Sequence, residues 1–311
     1  MDAISNAFGY ILNAIYNLEF VQNYGLALIL FTILIKVVLL PISIKQQKTL
    51  KKTTVIQGEV KKIQEKYKGD QEKINKETME LYKRENMNPF SGCLSSIVQI
   101  VLLFAIFFLV SKPLTHMKQL DSNLINGYAN EIKTGQVVVN KEQVQVIDGE
   151  EVVPEENKIN TQNVNTQYPE IAVIRVFGAY DEKVNINMNF FGIDLSKVPS
   201  ESTNDIKVYI IPVLYIISSL ITLKMTNLNT KKKEEKASDE KALKEGEEQD
   251  VDVGAQVNKN MMYMMPIMSV IIAMVAPLGL ALYWLVNNVL TIIERVFVNK
   301  YLKSKEEIKN V

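Results

Sequence analysis

FTILIKVVLLP, residues 31–41, is a run of branched and aromatic apolar residues broken by one lysine, Lys36. Such a run belongs in a lipid bilayer, where a charge near the midplane costs about 2.5–3.5 kcal/mol on insertion scales. Lys45, which opens the basic segment that follows, lies nine residues on, roughly 14 Å along a helix. A lysine side chain snorkels about 6 Å, which covers less than half of that gap. A polar or water-filled cavity inside the protein is the cheaper solution. The same helix supplies polar company, because Thr32, Ser43 and Gln47 fall within about 40° of Lys36 at 100° per residue. Together they form one polar stripe on an otherwise apolar helix, which Pro41 is expected to bend.

The rest of the composition fits a membrane chain. Of 311 residues, 47 % are apolar or aromatic and 23 % charged, with a formal net charge of zero. The two kinds are segregated into blocks, the pattern of a polytopic membrane protein with soluble connections. The single cysteine, Cys93, excludes an intramolecular disulfide and a multi-cysteine metal site, and the single histidine, His116, argues against triads and zinc. No glycine-rich phosphate loop is present. No catalytic set exists within the apolar segments, so an enzyme is not expected, and neither is a cofactor or a metal.

Five segments are apolar enough to cross a ~30 Å hydrocarbon core: 24–44, 93–110, 206–223, 261–277 and 278–297. The last two form one stretch broken by Pro277-Leu278-Gly279, a turn signal. Lysines crowd 45–90, 224–260 and the tail 298–311, which the positive-inside rule places in the cytoplasm. The 113–205 segment, which leans acidic, then lies outside, as does the N-terminus. Residues 1–20 lack a positive n-region, and Ile4, Phe8, Ile11, Leu12 and Ile15 recur at helical spacing. They predict an amphipathic helix lying at the membrane interface.

The connections have their own patterns. Ile56, Val60, Ile63 and Tyr67 form one helical stripe, Lys68-Gly69-Asp70 is a turn, and Ile74, Leu81 and Tyr82 continue on a second helix up to Asn88-Pro89. This predicts a cytoplasmic helical hairpin over 45–90, thinly packed, mobile and exposed. In the outer segment, valine-rich runs flank Asp148-Gly149 and predict a small β hairpin or meander. The Lys/Glu tract 231–250 cannot bury a core and is expected to be disordered or transiently helical. The fold class is therefore an all-α polytopic membrane protein: a five-transmembrane-helix bundle, a cytoplasmic helical hairpin and a small, β-containing extracellular insertion.

Other spans bring further polar groups: Gln99 in the second, Ser218, Ser219 and Thr222 in the third, Asn287, Asn288 and Thr291 in the fifth. The nearest acid is Glu294, toward the end of the last helix, and Lys36 is expected to lack an ion-pair partner within the membrane. Two readings stay open. Lys36 is a structural residue held by carbonyls, serines and asparagines, or it is an unpaired charge in a polar groove that awaits something negative. The fourth span opens MMYMMPIM (261–268), flexible side chains suited either to an ordinary core or to varied apolar partners.

LIKVVLLPISIKQQKT (34–49), NPFSGCLSSIVQI (88–100), MMYMMPIM (261–268) and PLGLALYWLVNNVLTIIE (277–294), in this order, resemble the YidC/Oxa/Alb membrane protein insertases in their short, Gram-positive-like form. The resemblance covers most of the chain except about 121–165 and the 231–258 linker. It implies a five-helix core around a hydrophilic groove that carries a positive charge on the first span. That charge draws in the acidic outer end of a new membrane protein, whose apolar segment slides along the spans into lipid.

Carried onto this chain, the groove residues are Lys36, Thr32, Ser43, Gln99, Ser219, Trp284 and Asn288, and the slide residues are Met264, Met265 and Met268. The implied partners are nascent membrane proteins and the lipid bilayer, with a ribosome and a Sec translocon as further candidates and no direct nucleic-acid contact. The implied location is the bacterial cell membrane, with the C-terminus in the cytoplasm. The chain departs from the pattern at Lys36, where arginine is usual, and at Ser95 and Val101, where prolines are common. Its tail after Glu294 is short, and its outer valine-rich insertion has no family role. The alternatives are an anion-selective channel or transporter with Lys36 as selectivity charge, and a non-inserting assembly factor for membrane complexes.

Overall fold

In a computed structural model, the described residues are 2–85, 91–139, 145–147, 150–152, 157–162, 164, 166–238 and 268–309. They are mostly helical: α1 (Asp2–Tyr16), α2 (Tyr24–Lys66), α3 (Gln71–Arg84), α4 (Ser91–Ser111), α5 (Pro113–His116), α6 (Ser122–Lys133), α7 (Pro169–Phe177), α8 (Ile210–Ser238), α9 (268–275) and α10 (Leu278–Lys309). A 3₁₀ turn, Ile206–Tyr209, leads into α8. The short strands β1 (Gln136–Val138), β2 (Gln145–Ile147), β3 (Glu150–Val152), β4 (Lys158–Asn160), β5 (Asn189–Phe190) and β6 (Ile193–Asp194) pair antiparallel as β1–β4, β2–β3 and β5–β6.

Among the described residues three helical stretches are long and apolar enough to cross a membrane: Tyr24–Thr49, Ile206–Met225 and Leu278–Val298. They coincide with the first, third and fifth expected spans. The second expected span falls in α4, of which Ile100–Ser111 is a shorter apolar helix. Of the fourth, residues 261–267 lie outside the described residues, and 268–275 form α9. The chain divides into two compact units. The first comprises Met1–Leu34, Leu102–Tyr215 and Met268–Asn287; the second comprises Ile35–Val101, Ile216–Ile267 and Asn288–Val311.

In the first unit, the expected break at Pro277 has a clear physical basis. Helix α10 starts one residue later, and its first amides need acceptors that no preceding turn supplies. The segment between β6 and the 3₁₀ turn provides them: Leu278 N–H donates to the Lys197 carbonyl at 2.9 Å and Gly279 N–H to the Leu195 carbonyl at 3.0 Å. Gly279 is tightly placed, since a Cβ there would lie 3.3 Å from the Tyr24 ring.

Helix α1 is packed rather differently from its apolar stripe. Its buried residues are Ser5, Gly9 and Leu12, while Ile4 and Tyr10 are exposed. Ser5 Oγ donates to the Ala105 carbonyl at 3.1 Å, and Asn6 Oδ1 lies 2.6 Å from His116 Nδ1. Small residues let the helix approach the α4–α5 corner closely, and that contact, more than the apolar periodicity, sets its seat.

The 113–205 segment is tied together by α6 and α7. Helix α7 begins with Pro169 at its first turn, where the missing N–H costs nothing. Glu170, only 6 % exposed, accepts from the Thr115 N–H at 2.9 Å and from the Thr115 hydroxyl at 2.6 Å. Burial outweighs those bonds and pushes its carboxyl above the usual range. A carboxyl with a raised folded pKa favours the fold most at low pH, and that contribution is lost as pH rises from the unfolded value through the raised one. The stability of the wild-type protein minus that of Glu170→Gln is therefore expected to fall across that window, and denaturation series at matched pH values check it. A flat difference would mean that the carboxyl is not buried as described.

The β pairing near Asp148-Gly149 has the expected shape: Ile147 pairs with Glu150 and Gln145 with Val152, on either side of positions 148 and 149, which lie outside the described residues. A second turn, less visible in the sequence, joins β5 to β6 through Phe191 (φ +50°) and Gly192 (φ +78°).

In the second unit the expected helical hairpin is present, but its first arm does not begin at 45. Helix α2 is continuous for 43 residues from Tyr24 to Lys66 with Pro41 inside it, so span and arm are one helix. Gly69 turns the chain with φ +84°, and Asp70 caps α3 by accepting from the Lys73 N–H at 3.1 Å. Ile56 and Leu81 are buried, and Arg84 reaches Glu59 at 3.1 Å. Helices α8 and α10 likewise run past the expected span ends at 223 and 297, to Ser238 and Lys309. Lys/Glu-rich sequences are good helix formers, which explains why the first part of the expected linker is helical. Residues 239–267 lie outside the described residues.

Candidate functional site

The second unit contains a polar cluster built on three helices. On α10, Asn288, Thr291 and Glu294 follow one another at intervals of three, which puts them on one face. Lys36 of α2 donates from Nζ to the Thr291 hydroxyl at 2.8 Å and to Glu294 Oε2 at 3.4 Å. Gln47 of α2 donates from Nε2 to Glu294 Oε1 at 3.4 Å. Lys36 and Gln47 stand eleven residues apart, about 16 Å along the axis. Both therefore extend along the helix to meet one carboxylate between them. The Lys36 side chain is about a quarter exposed and that of Glu294 9 %.

The expectation that Lys36 lacks an ion-pair partner is thus corrected: Glu294 is that partner. The sequence carried a signal for it, since Glu294 continues the Asn288–Thr291 stripe by one more step. What hid it is the reach of a lysine extended along its own helix, which is invisible to angular position.

The same α10 face meets α8 one turn earlier. Asn288 Nδ2 donates to Ser219 Oγ at 2.8 Å and lies 3.4 Å from Ser218 Oγ. Two expected site residues, Ser219 and Asn288, are brought together here. Interhelical hydrogen bonds of this kind in membranes average about 0.6 kcal/mol. Asn288→Ala and Ser219→Ala are each expected to destabilise the protein by about that amount, and the double substitution by less than their sum. Full additivity in unfolding measurements would mean that the bond contributes nothing.

The remaining expected residues divide as follows. Ser43 is half-buried in the second unit. Thr32 belongs to the first unit and is buried, and its hydroxyl donates back to the Leu28 carbonyl of its own helix at 2.6 Å. Trp284 is also in the first unit, 8 % exposed, with its ring 5.8 Å from that of Tyr215. That is a packed position. Met268 is 56 % exposed. Met264, Met265 and the Gln99 side chain lie outside the described residues. Among the described residues no group of three or more His, Cys, Asp or Glu could hold a metal.

Long apolar helices with an internal lysine held by polar side chains define a polytopic helical membrane protein. A family model described as 60Kd inner membrane protein matches residues 16–306, and the chain belongs to that family. Over 89 residues it is 45 % identical to the membrane protein insertase YidC of Fusobacterium nucleatum, covering 29 % of this chain and 43 % of that protein. It is 43 % identical over 101 residues to the YidC of Chlorobaculum parvum, covering 32 % of this chain and 17 % of the relative. The YidC of Francisella tularensis subsp. novicida is 40 % identical over 101 residues, with 32 % and 18 % covered. The matched stretch spans less than half of each relative's length.

Proposed function

We propose that this chain is a membrane protein insertase and chaperone, which passes transmembrane segments of nascent membrane proteins into the bilayer through a hydrophilic groove around Lys36. The observation that carries this reading is Lys36 itself: a cation on a candidate membrane helix, its side chain partly exposed and its ammonium bonded to Thr291 and Glu294. Family membership and the relatives' names as membrane protein insertases support it. A lysine in a low-dielectric surrounding is stabilised by polar partners, and a partly exposed one remains able to meet an acidic group of a substrate. Ser219 and Asn288 border the groove, with Thr32, Ser43, Gln99 and Trp284 as further lining, and Met264, Met265 and Met268 as the apolar slide.

In this reading the protein spans a bacterial cell membrane five times, its N-terminus outside and its C-terminus in the cytoplasm. The hairpin of α2 and α3 receives substrate there, and a ribosome or Sec translocon acts upstream. The test is insertion of a single-span substrate with an acidic outer tail into liposomes that carry the purified protein. Lys36→Arg is expected to retain insertion and Lys36→Ala to lose about tenfold, equivalent to about 1.4 kcal/mol. Equal insertion into protein-free liposomes would overturn the reading.

A further inference from the structure

We propose that Glu294 is a resident counter-ion that sets the substrate selectivity of the Lys36 site: an incoming carboxylate has to displace it. The inference rests on the insertase reading and deepens it. It starts from the geometry of the pair. A lysine–carboxylate hydrogen bond at full strength measures about 2.7–2.9 Å, yet Lys36 Nζ stands 3.4 Å from Glu294 Oε2 while it holds the Thr291 hydroxyl at 2.8 Å. The ion pair is the longer of the two contacts, and it is the one an incoming carboxylate competes with, since a substrate acid replaces one anion by another at the same ammonium.

The ammonium has three N–H donors, and Thr291 and Glu294 take two of them. Among the described residues the third has no acceptor, and it can make a first contact with a substrate acid before Glu294 leaves. Glu294 does not then become an orphan. Its other oxygen accepts from Gln47 at 3.4 Å, and Arg295, next along α10, interacts electrostatically with the same carboxylate. A carboxylate on a side chain only 9 % exposed that loses every partner would be strongly disfavoured. One that leaves Lys36 and keeps Gln47 as a donor and Arg295 as a nearby cation is not.

The consequence is a threshold. Without Glu294 the site carries an uncompensated cation that attracts any anion. With it, the Lys36 charge is already paired, and a lone, weakly placed negative group gains little by exchanging one carboxylate for another. An acidic outer segment that presents a carboxylate to Lys36 at full hydrogen-bonding distance gains from the exchange. The chemical class selected is thus a peptide segment bearing Asp or Glu that can approach closely.

The experiment compares wild type with Glu294→Gln, which keeps shape and an acceptor oxygen but removes the charge. Purified proteins in liposomes insert two single-span substrates that differ only in an acidic or a neutral outer tail. The expected result is a ratio of acidic-tail to neutral-tail rates that rises about fivefold in E294Q, about 1 kcal/mol of lost competition. An unchanged ratio, including an equal fall in both rates, would mean a merely structural role and overturn the proposal.

A readout that needs no insertion separates this outcome from failure of the insertase reading. Lys36 is acetylated by a water-soluble anhydride in nanodiscs and quantified by mass spectrometry, with and without the synthetic acidic-tail peptide. Faster labelling in E294Q, with stronger protection by the peptide than in wild type, supports the counter-ion even if no substrate inserts. Equal labelling and equal protection sink it.

Discussion

Lys36→Glu is expected to abolish insertion of a substrate with an acidic outer tail, with residual activity at the level of protein-free liposomes. The substitution does more than remove a cation. It sets a second carboxylate opposite Glu294, whose Oε2 now stands 3.4 Å from the ammonium. Two unit charges at about 4 Å interact by about 4 kcal/mol at an effective dielectric of 20, so an attraction of that order is exchanged for a repulsion. Thr291 and Gln47 donate or accept hydrogen bonds but carry no charge, and Arg295, which interacts electrostatically with Glu294, offsets only part of it. The protein should also lose thermal stability. Adding Glu294→Lys restores an opposite-charge pair with the cation on α10 and should recover the stability and part of the insertion. If Lys36→Glu inserted the acidic substrate as wild type does, charge at this position would be irrelevant to transfer. If the double variant were no more stable than the single one, the two side chains would not meet as described.

Gly9→Val is expected to lower stability by about 3 kcal/mol, at the upper end of what overpacking costs. A Cβ at Gly9 would sit 1.8 Å from the carbonyl oxygen of His116 and 2.4 Å from its carbonyl carbon. These are backbone atoms, held by the His116 N–H bond to the Lys112 carbonyl at 3.0 Å, so no side-chain rotation relieves the clash. Helix α1 has to leave its seat, and with it go the Ser5–Ala105 bond and the Asn6–His116 contact. Limited proteolysis should then cut within the first twenty or so residues ahead of any other site, because an undocked terminus is open to proteases. Gly9→Ala should move in the same direction, since the clash is made by the Cβ itself. Wild-type stability in both variants would show that α1 is not seated on α5.

Much of the secondary structure was legible in residue patterns. The apolar runs at 24–44, 206–223 and 278–297 match helices of spanning length, because hydrophobic length is a local property. Lys68-Gly69-Asp70 announced its turn because only a few residues tolerate φ near +84° or cap a helix well. Asp148-Gly149 announced the β2–β3 pairing for a similar reason. Helix ends were read less well. The patterns placed an end where apolar residues stop, yet α2, α8 and α10 continue through charged residues. Backbone hydrogen bonding does not stop where hydropathy changes.

The candidate site was half legible. Lys36 stood out by cost, and the polar residues Ser219 and Asn288 by their setting in apolar helices, but periodicity could not say which of them meet. The sequence by itself determined that this is a helical membrane protein with an anomalous cation, Lys36, in its first span, since length, hydropathy and charge segregation are additive along the chain. Only the tertiary structure decided that Glu294 holds Lys36, that Gln47 reaches the same carboxylate, and that α1 is seated through Gly9. Each depends on two helices far apart in the chain coming within a few ångströms, and on side-chain reach along an axis. Neither quantity is encoded in the spacing of residues on a single helix.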